Sequence, residues 1–233
     1  MEQTLKITNV LSDPTRYYIY QHITKNHNEV TVQEIADKFN IHPNVARLHL
    51  SKLEDINMLT SETKKTGKGG RPSRLYRLSD EVIQLHFPYR DYQLLSKIAI
   101  ETMMKLGEVG KEALYQTGKG FGRELVDEEL KRNQMTMNDL SFQDKVQIIR
   151  DAATFAGFYP EFHANEEEGK IHFQIFNCPF KELAAQQMDS VCGMHKAFLQ
   201  GMFSSVFDSV ELVELENMIT GCGTCSYNAT VTN

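Results

Sequence analysis

The chain has 233 residues, of which 41% are hydrophobic and 24% are charged, so it has the composition of a folded globular protein rather than a disordered or fibrous one. Its length favours two domains over one small module. No apolar run approaches the roughly 20 residues that cross a bilayer, and the first residues lack the layout of a signal peptide. We therefore expect a cytoplasmic protein with no membrane partner.

The charge is unevenly distributed along the chain. The net charge is -6, yet residues 1–80 hold 12 basic and 9 acidic residues, whereas residues 81–233 hold 13 basic and 22 acidic ones. Residues 63–79 contain six Lys or Arg and no acidic residue. A basic segment on an acidic protein is typical of a surface that binds a polyanion, although a solvated basic loop would have the same composition.

The first third of the chain has the pattern of three helices. Asp13 followed by Pro14 is a helix start, and Thr31 with Glu34 three residues later predicts a capping box at the next one. A third helix is predicted at about 43–56, with Ala46, Leu50 and Leu53 facing the core and Asn57 ending it in a left-handed conformation. Four residues of the third helix are predicted to face outward and to contact DNA: Asn44, Arg47, Leu48 and Ser51.

Two strand-like segments follow, at 58–64 and 73–79, on either side of the Gly-rich basic sequence TGKGGRP. Together with a helix-turn-helix this predicts a winged helix, whose second helix enters the major groove while the wing lies against the phosphates. Arg47 has the planar fork that reads guanine. The residues predicted to contact phosphates are Lys64, Lys65, Lys68, Arg71 and Arg74.

The segments LSDPTRYYIYQHI, TVQEIADKFNIHPNVARLHLSKLEDINMLT and GRPSRLYRLS resemble the bacterial ArsR/DeoR-type winged-helix repressors. The resemblance covers about 80 residues and implies binding to double-stranded operator DNA, of palindromic sequence, by a homodimer. Some ArsR relatives bind metals in this region, so His42 and His49 are candidate metal ligands. We expect packing or a hydrogen bond for His49, because it lies beside the core-facing positions.

Residues 81–156 are predicted to be a helical linker and dimerisation segment. The sequence GKGFG at 118–122 lacks the strand and the GK[ST] of a phosphate loop, and we expect it to separate two helices.

Residues 157–233 are predicted to form a small α+β domain that contains all four cysteines of the chain. Cys178, Cys192, Cys222 and Cys225 fall at the ends of predicted elements, which favours a site over simple packing. Their spacing has a single close pair, whereas most zinc ribbons have two. An iron–sulfur cluster is the favoured interpretation, and zinc, metal-free redox thiols and a structural role remain alternatives.

The segments NCPFKELA, VCGMHKAFLQGMF and GCGTCSY resemble the sensor domain of the SufR-type iron–sulfur repressors. This resemblance implies a cluster, either 2Fe-2S or 4Fe-4S, held by at least three of the cysteines, and control of genes for iron–sulfur assembly. It leaves open which of Cys222 and Cys225 is a ligand. His195 is a candidate substitute ligand.

The predicted fold is therefore mainly α with an α+β part: a winged helix at 1–80, helices at 81–156 and a cysteine-containing sensor at 157–233. The predicted function is a DNA-binding regulator that senses a cluster, with a zinc- or thiol-sensing repressor as the alternative. A cluster-bearing enzyme or electron carrier with a docking winged helix is the competing class. The chain carries no nucleophile elbow, Walker loop or dinucleotide fingerprint, so we expect no enzymatic activity.

Overall fold

The computed structural model of the chain describes residues 2–64, 73–137 and 140–232. Contacts divide the chain into two compact units, Met1–Arg90 and Asp91–Asn233. The helices of the middle segment thus lie in the same unit as the cysteines. The described residues combine a helical majority with two small antiparallel sheets, which confirms the predicted fold class.

The first unit contains the predicted helices and the predicted wing. Its elements are α1 (Glu2–Leu11), α2 (Pro14–Asn26), β1 (Val30–Thr31), α3 (Val32–Phe39), α4 (Pro43–Glu54), β2 (Leu59–Lys64) and β3 (Ser73–Leu78). The strands form one antiparallel sheet in the order β1-β3-β2. Because β2 and β3 pair in register from Leu59 opposite Leu78 to Lys64 opposite Ser73, they are the two strands of the wing.

Local sequence signals account for the helix boundaries in this unit. The Asp13 side chain accepts a hydrogen bond from the Arg16 amide, and Thr31 and Glu34 form the predicted capping box. Asn57 has a φ of 60°, as predicted for the residue that ends the third helix. The predicted core positions Ala46, Leu50 and Leu53 are fully buried, so α4 presents its opposite face to solvent.

The second unit places helices against one face of a four-stranded sheet. Its helices are α5 (Tyr92–Lys105), α6 (Glu108–Arg132), α7 (Phe142–Phe155), α8 (Lys181–Ala184) and α9 (Met188–Phe203). Its strands are β4 (Pro160–Asn165), β5 (Lys170–Ile175), β6 (Ser209–Glu216) and β7 (Cys225–Thr232), paired in the antiparallel order β4-β5-β7-β6. The inner face of the sheet packs on α9, where the Phe173 ring stacks on Phe203 and Tyr227.

The prediction that GKGFG separates two helices is wrong. Residues 118–122 lie within α6, and the helix break falls earlier, at Gly107, which has a φ of 63°. The glycines serve helix packing instead, because a Cβ at Gly122 would lie 2.0 Å from the Phe198 carbonyl oxygen and one at Gly201 would lie 2.1 Å from that of Lys119. The backbones of α6 and α9 can therefore approach more closely than side chains would permit.

No helix within the described ranges is both long enough and apolar enough to span a membrane.

Candidate functional site

The candidate DNA-contacting surface is the outer face of α4. Asn44, Arg47 and Leu48 are exposed, and Ser51 is half-buried, so the predicted residues share one face of the helix. Arg47 donates a hydrogen bond from Nη1 to Asn44 Oδ1 at 3.1 Å. This bond holds the guanidinium on the exposed face, where it is available to a base edge.

A groove with a volume of about 600 Å³ lies between this face and the wing. Its lining includes Arg47, Arg74, Gln33 and Ser73, so donors from α3, α4 and the wing face the same space. Hydroxyl, amide and guanidinium donors are the groups that contact phosphate and sugar oxygens in protein–DNA complexes. The groove is therefore chemically suited to a nucleic-acid backbone.

The wing cations within the described residues have acidic neighbours. Lys64 Nζ lies 2.7 Å from Glu29 Oε2 and 2.9 Å from Glu62 Oε1, and these hydrogen bonds raise the pKa of Lys64. Arg74 donates to both carboxylate oxygens of Glu54. The other predicted phosphate contacts, Lys65, Lys68 and Arg71, lie outside the described residues.

His42 and His49, the two candidate metal ligands of the first unit, serve the fold. His42 is the N-cap of α4, and its Nδ1 accepts a hydrogen bond from the Asn44 amide at 3.2 Å. His49 is buried, with Nδ1 3.9 Å from Asp13 Oδ2, and burial lowers its pKa. The structure thus places His49 in the core beside a carboxylate, as the packing interpretation expects.

The second unit brings the cysteines from three elements toward one end of its sheet. Cys225 is the first residue of β7 and pairs in register with Ile175, the last residue of β5. Cys178 lies three residues after Ile175 along the chain. Cys178 Sγ lies 3.8 Å from Nδ1 of His195 on α9, and Cys192 lies one turn earlier on the same helix. Sheet pairing and one helix contact therefore bring together residues that are up to 47 positions apart in sequence.

The pKa values of the thiols show how closely the cysteines influence one another. Burial, with a smaller contribution from the charges of Cys225 and Cys192, raises the pKa of Cys178 to about 12. Burial also raises the pKa values of Cys192 and Cys225. Burial is the main cause of the raised pKa of Cys192, which lies in the second turn of α9.

Cys222 differs from the other three cysteines in its exposure. It lies in the loop between β6 and β7 and is exposed, whereas Cys178 and Cys225 are buried and Cys192 is half-buried. Its charge nevertheless raises the pKa of Cys225. All four cysteines are free thiols. Within the described ranges, no three His, Cys, Asp or Glu side chains stand close enough together to hold a metal ion.

Asn217 connects the cysteines, and the sequence analysis missed it. This buried residue forms a side-chain hydrogen bond with Cys192, and its carbonyl oxygen accepts from the Cys222 amide at 3.4 Å. The next residue, Met218, donates its amide to Cys225 Sγ at 3.4 Å. A single Asn in a polar strand end carries no recognisable motif, so only the folded chain identifies it.

Glu214 adds a carboxylate beside the thiols. It accepts hydrogen bonds from Asn217 Nδ2 and from the Tyr227 hydroxyl, both at 3.2 Å. Its charge raises the pKa values of Cys192 and Cys225. The site thus contains a carboxylate, which is a hard metal ligand, next to thiols, which are soft ones. The two kinds of ligand favour different metals.

His195 is the buried histidine of the site. Its ring stacks on Phe158 at a centroid distance of 5.0 Å, and burial lowers its pKa to about 4, so the imidazole is neutral at pH 7. Its Nε2 has no hydrogen-bond partner among the described residues. A neutral, unpartnered imidazole nitrogen is the form of histidine that binds metals.

Comparison with known proteins identifies the first unit. Residues 11–62 match the family model of a helix-turn-helix domain. This match covers α2 to β2 and supports a DNA-binding transcriptional regulator. No curated protein matches the chain.

Two solved structures resemble the chain weakly. One is a trafficking protein particle complex subunit 3 from Naegleria fowleri, covalently bound to palmitic acid; the identity is 14%, over 60% of this chain and 97% of that one, with a TM-score of 0.44. The other is the phenol-responsive sensory domain of the transcription activator PoxR with phenol, at 18% identity over 79% of this chain and 89% of that one, with a TM-score of 0.44. Similarity at this level supports no conclusion about this chain.

Proposed function

We propose that the chain is a homodimeric transcriptional repressor that reads palindromic double-stranded DNA and senses an iron–sulfur cluster bound by its C-terminal cysteines. The genes that it controls would serve iron–sulfur assembly or iron and redox metabolism, as the resemblance to the SufR-type repressors implies. The observation that carries the proposal is that Cys192 and Cys225 lie near enough to Cys178 for their charges to raise its pKa, and that Cys178 contacts His195, whose Nε2 has no partner among the described residues.

The DNA-binding part of the proposal rests on the matched helix-turn-helix and the exposed polar face of α4. Arg47 would read a base edge in the major groove, with Asn44, Leu48 and Ser51 beside it. The wing would add contacts to phosphates that do not depend on sequence. The side chains of Lys64 and Arg74 are exposed in their ion pairs with Glu29 and Glu54. Exposed ion pairs are weak, so both cations can exchange a carboxylate for a DNA phosphate.

The cysteine part of the proposal rests on the chemistry of the donor set. Thiolates are the usual ligands of iron–sulfur clusters, and a histidine can replace one of them. Cys178, Cys192 and Cys225 would be the first three ligands, and Cys222 or His195 would supply the fourth. When bound, such a cluster supplies a redox-sensitive group whose presence reports iron and oxidants.

Helix packing offers a route from the cysteines to the DNA-binding unit. Cys192 and His195 lie on α9, which packs closely along α6 through Gly122 and Gly201. The chain reaches this helical layer through α5, which begins directly after the first unit ends. A change in the position of α9 would therefore be transmitted to the segment that leads into the winged helix.

The decisive experiment is anaerobic purification of the full chain, followed by absorption spectra and analysis of iron, sulfide and zinc. We expect a brown protein with matching iron and sulfide contents. A colourless protein with one zinc per chain would support the zinc-sensing alternative, and a metal-free protein with reversible thiol oxidation would support the thiol-sensing one.

Cysteine variants test the ligand assignment. We expect Cys178→Ser and Cys192→Ser to lose the iron, because each removes a proposed ligand. Cys225→Ser should lose more iron than Cys222→Ser, because Cys225 is buried and its charge raises the pKa of Cys178, whereas Cys222 is exposed. Ser226→Ala, beside Cys225 on β7, is the matched control. Unchanged iron in Cys178→Ser would contradict the assignment.

A further inference from the structure

The outer face of the second sheet carries two histidines that lie directly opposite each other. His163 on the edge strand β4 is the register partner of His172 on β5. Their rings are nearly parallel, with an interplanar angle of 14° and a centroid distance of 6.4 Å. The alternate residues Ile171 and Phe173 are buried in the core, so both imidazoles lie on the opposite face of the sheet.

Asn228 extends this pair onto the next strand. It is the register partner of His172 on β7, and its Oδ1 lies 3.0 Å from His172 Nδ1. An amide oxygen only accepts hydrogen bonds, so His172 Nδ1 carries the proton and Nε2 carries the lone pair. Histidines that bind metals are held in this way, with one ring nitrogen donating to an acceptor while the other binds the ion. Asn228 therefore fixes His172 in a tautomer that can bind a metal through Nε2.

The His163 ring is able to reach the same ion. It is exposed and forms no hydrogen bond with any residue in the described ranges. Directly opposite residues of an antiparallel pair have Cβ atoms about 5 Å apart. Two imidazole nitrogens that share an ion lie about 3 Å from each other, because each is about 2 Å from the metal. Rotation of the exposed His163 side chain toward His172 can bring the two nitrogens to this separation.

The charged neighbours on this face are compatible with a cation. Glu161 lies two residues before His163 and therefore on the same face of β4. Lys170 lies two residues before His172 on β5, and its Nζ forms an ion pair with Glu168 Oε2 at 2.7 Å. The lysine charge is thus compensated by its partner, and the Glu161 carboxylate adds negative charge to the face.

We propose that His163 and His172 bind a divalent transition-metal ion, with Asn228 as the positioning residue. Imidazole suits nickel, copper and zinc among such ions. Water or a small ligand would fill the remaining coordination positions. The bound ion would link the edge strand β4 to β5, so its occupancy would stabilise the sheet. This site shares no residue with the cysteine site and goes beyond the proposed function.

Calorimetric titration of the untagged full chain with Ni²⁺ tests the site. We expect His163→Ala and His172→Ala to bind the ion at least about tenfold more weakly, because a single histidine loses the chelate. His86→Ala removes an exposed histidine outside the sheet, so it is the matched control and should retain the binding. Any Ni²⁺ bound by the cysteines would persist in all three variants. Equal binding by His163→Ala and the unmodified chain would overturn the proposal.

Variants of Asn228 test the positioning role. Asn228→Ala should weaken Ni²⁺ binding about tenfold, because His172 loses the acceptor that fixes its tautomer. Asn228→Asp keeps an acceptor oxygen and should retain the binding. Unchanged binding in Asn228→Ala, or equal weakening by both variants, would remove Asn228 from the site.

Thermal unfolding gives a second readout. Excess Ni²⁺ should raise the Tm of the unmodified chain and of His86→Ala, because an ion that binds the folded state stabilises it. The increase should be lost in His163→Ala; an equal increase there would place the ion at the cysteines alone and overturn the site. A brown protein without the effect would leave the proposed function standing. A chain that binds Ni²⁺ through the two histidines but contains no cluster would overturn the proposed sensing function alone.

Discussion

At the scale of single residues, Arg47 is the side chain on which the reading of DNA depends. It is exposed on α4 and held by Asn44. We expect Arg47→Ala to cost about 1–3 kcal/mol on a DNA site selected from a random pool, because a bidentate contact to guanine is lost. Sequence preference at one base pair should relax. Binding titrations at fixed salt on the selected site and on random DNA provide the measurement.

Lys64→Ala on the wing provides the control for Arg47→Ala, because Lys64 is predicted to contact a phosphate and not a base. Lys64→Ala should weaken binding to selected and random DNA about equally and reduce the slope of the salt dependence by about one. If Arg47→Ala also weakened both DNAs equally, its role would be positioning rather than base reading.

Asp13 gives a prediction about pH. Its side chain caps α2, and the hydrogen bond from the Arg16 amide is the main cause of its lowered pKa. A carboxyl whose pKa is lower in the folded than in the unfolded state stabilises the fold above about pH 4, and this stabilisation is lost as the pH falls through the folded value. Asp13→Ala should cost about 1 kcal/mol of unfolding free energy at pH 7.

Asp13→Asn separates capping from charge. Asn is as good an N-cap as Asp, so stability at pH 7 should change little. Urea unfolding between pH 5 and pH 3 should then show a smaller loss of stability than in the unmodified chain. An identical pH profile for the two proteins would show that the Asp13 charge does not contribute.

At the scale of elements, the close approach of α6 and α9 is the feature that supports the cysteine site. A Cβ at Gly122 would lie 2.0 Å from a backbone oxygen of α9, which cannot move aside as a flexible side chain would. We expect Gly122→Ala to destabilise the chain by about 1–3 kcal/mol through overpacking, despite the better helix propensity of alanine. Denaturant unfolding measures the effect.

Gly120 on the same helix is the matched control. A Cβ at this position would meet nothing within 4 Å. Gly120→Ala should therefore stabilise the chain by up to about 1 kcal/mol, since only helix propensity changes. Equal effects at the two positions would mean that the close approach does not contribute to stability.

At the scale of the whole molecule, occupancy of the cysteine site should alter the affinity for DNA. A coupling of about 1–3 kcal/mol, or about 5- to 150-fold, is usual between two linked sites. The resemblance to the SufR-type repressors implies tight binding by the loaded form and weak binding after removal of the cluster. The measurement compares anaerobic, air-exposed and chelator-treated protein on one DNA site at one salt concentration.

Linkage provides a check on this coupling. If loading strengthens DNA binding by some factor, saturating DNA must raise the affinity of the chain for the cluster by the same factor. Three states with equal DNA affinities would mean that the cysteines do not regulate binding. The docking-module interpretation, in which the winged helix only localises a cluster protein, would then be favoured.

The sequence by itself determined the features that depend on neighbouring residues. Asp13, Thr31 with Glu34, and Asn57 set helix boundaries because capping and left-handed turns involve residues only a few positions apart. The spacing of Ala46, Leu50 and Leu53 predicted which face of α4 is buried and therefore which face Arg47 occupies. The same local rules predicted the wing strands.

Tertiary structure decided the features that depend on residues distant along the chain. Helix propensity disfavours glycine, so the sequence GKGFG predicts a helix break. In the folded chain α6 continues through this segment, because its close packing on α9 requires glycine at Gly122. Asn217 and Glu214 acquire a role only because β6 and α9 bring them to the cysteines. Burial is also the main cause of the raised pKa of Cys192, and desolvation depends on what surrounds a thiol after folding.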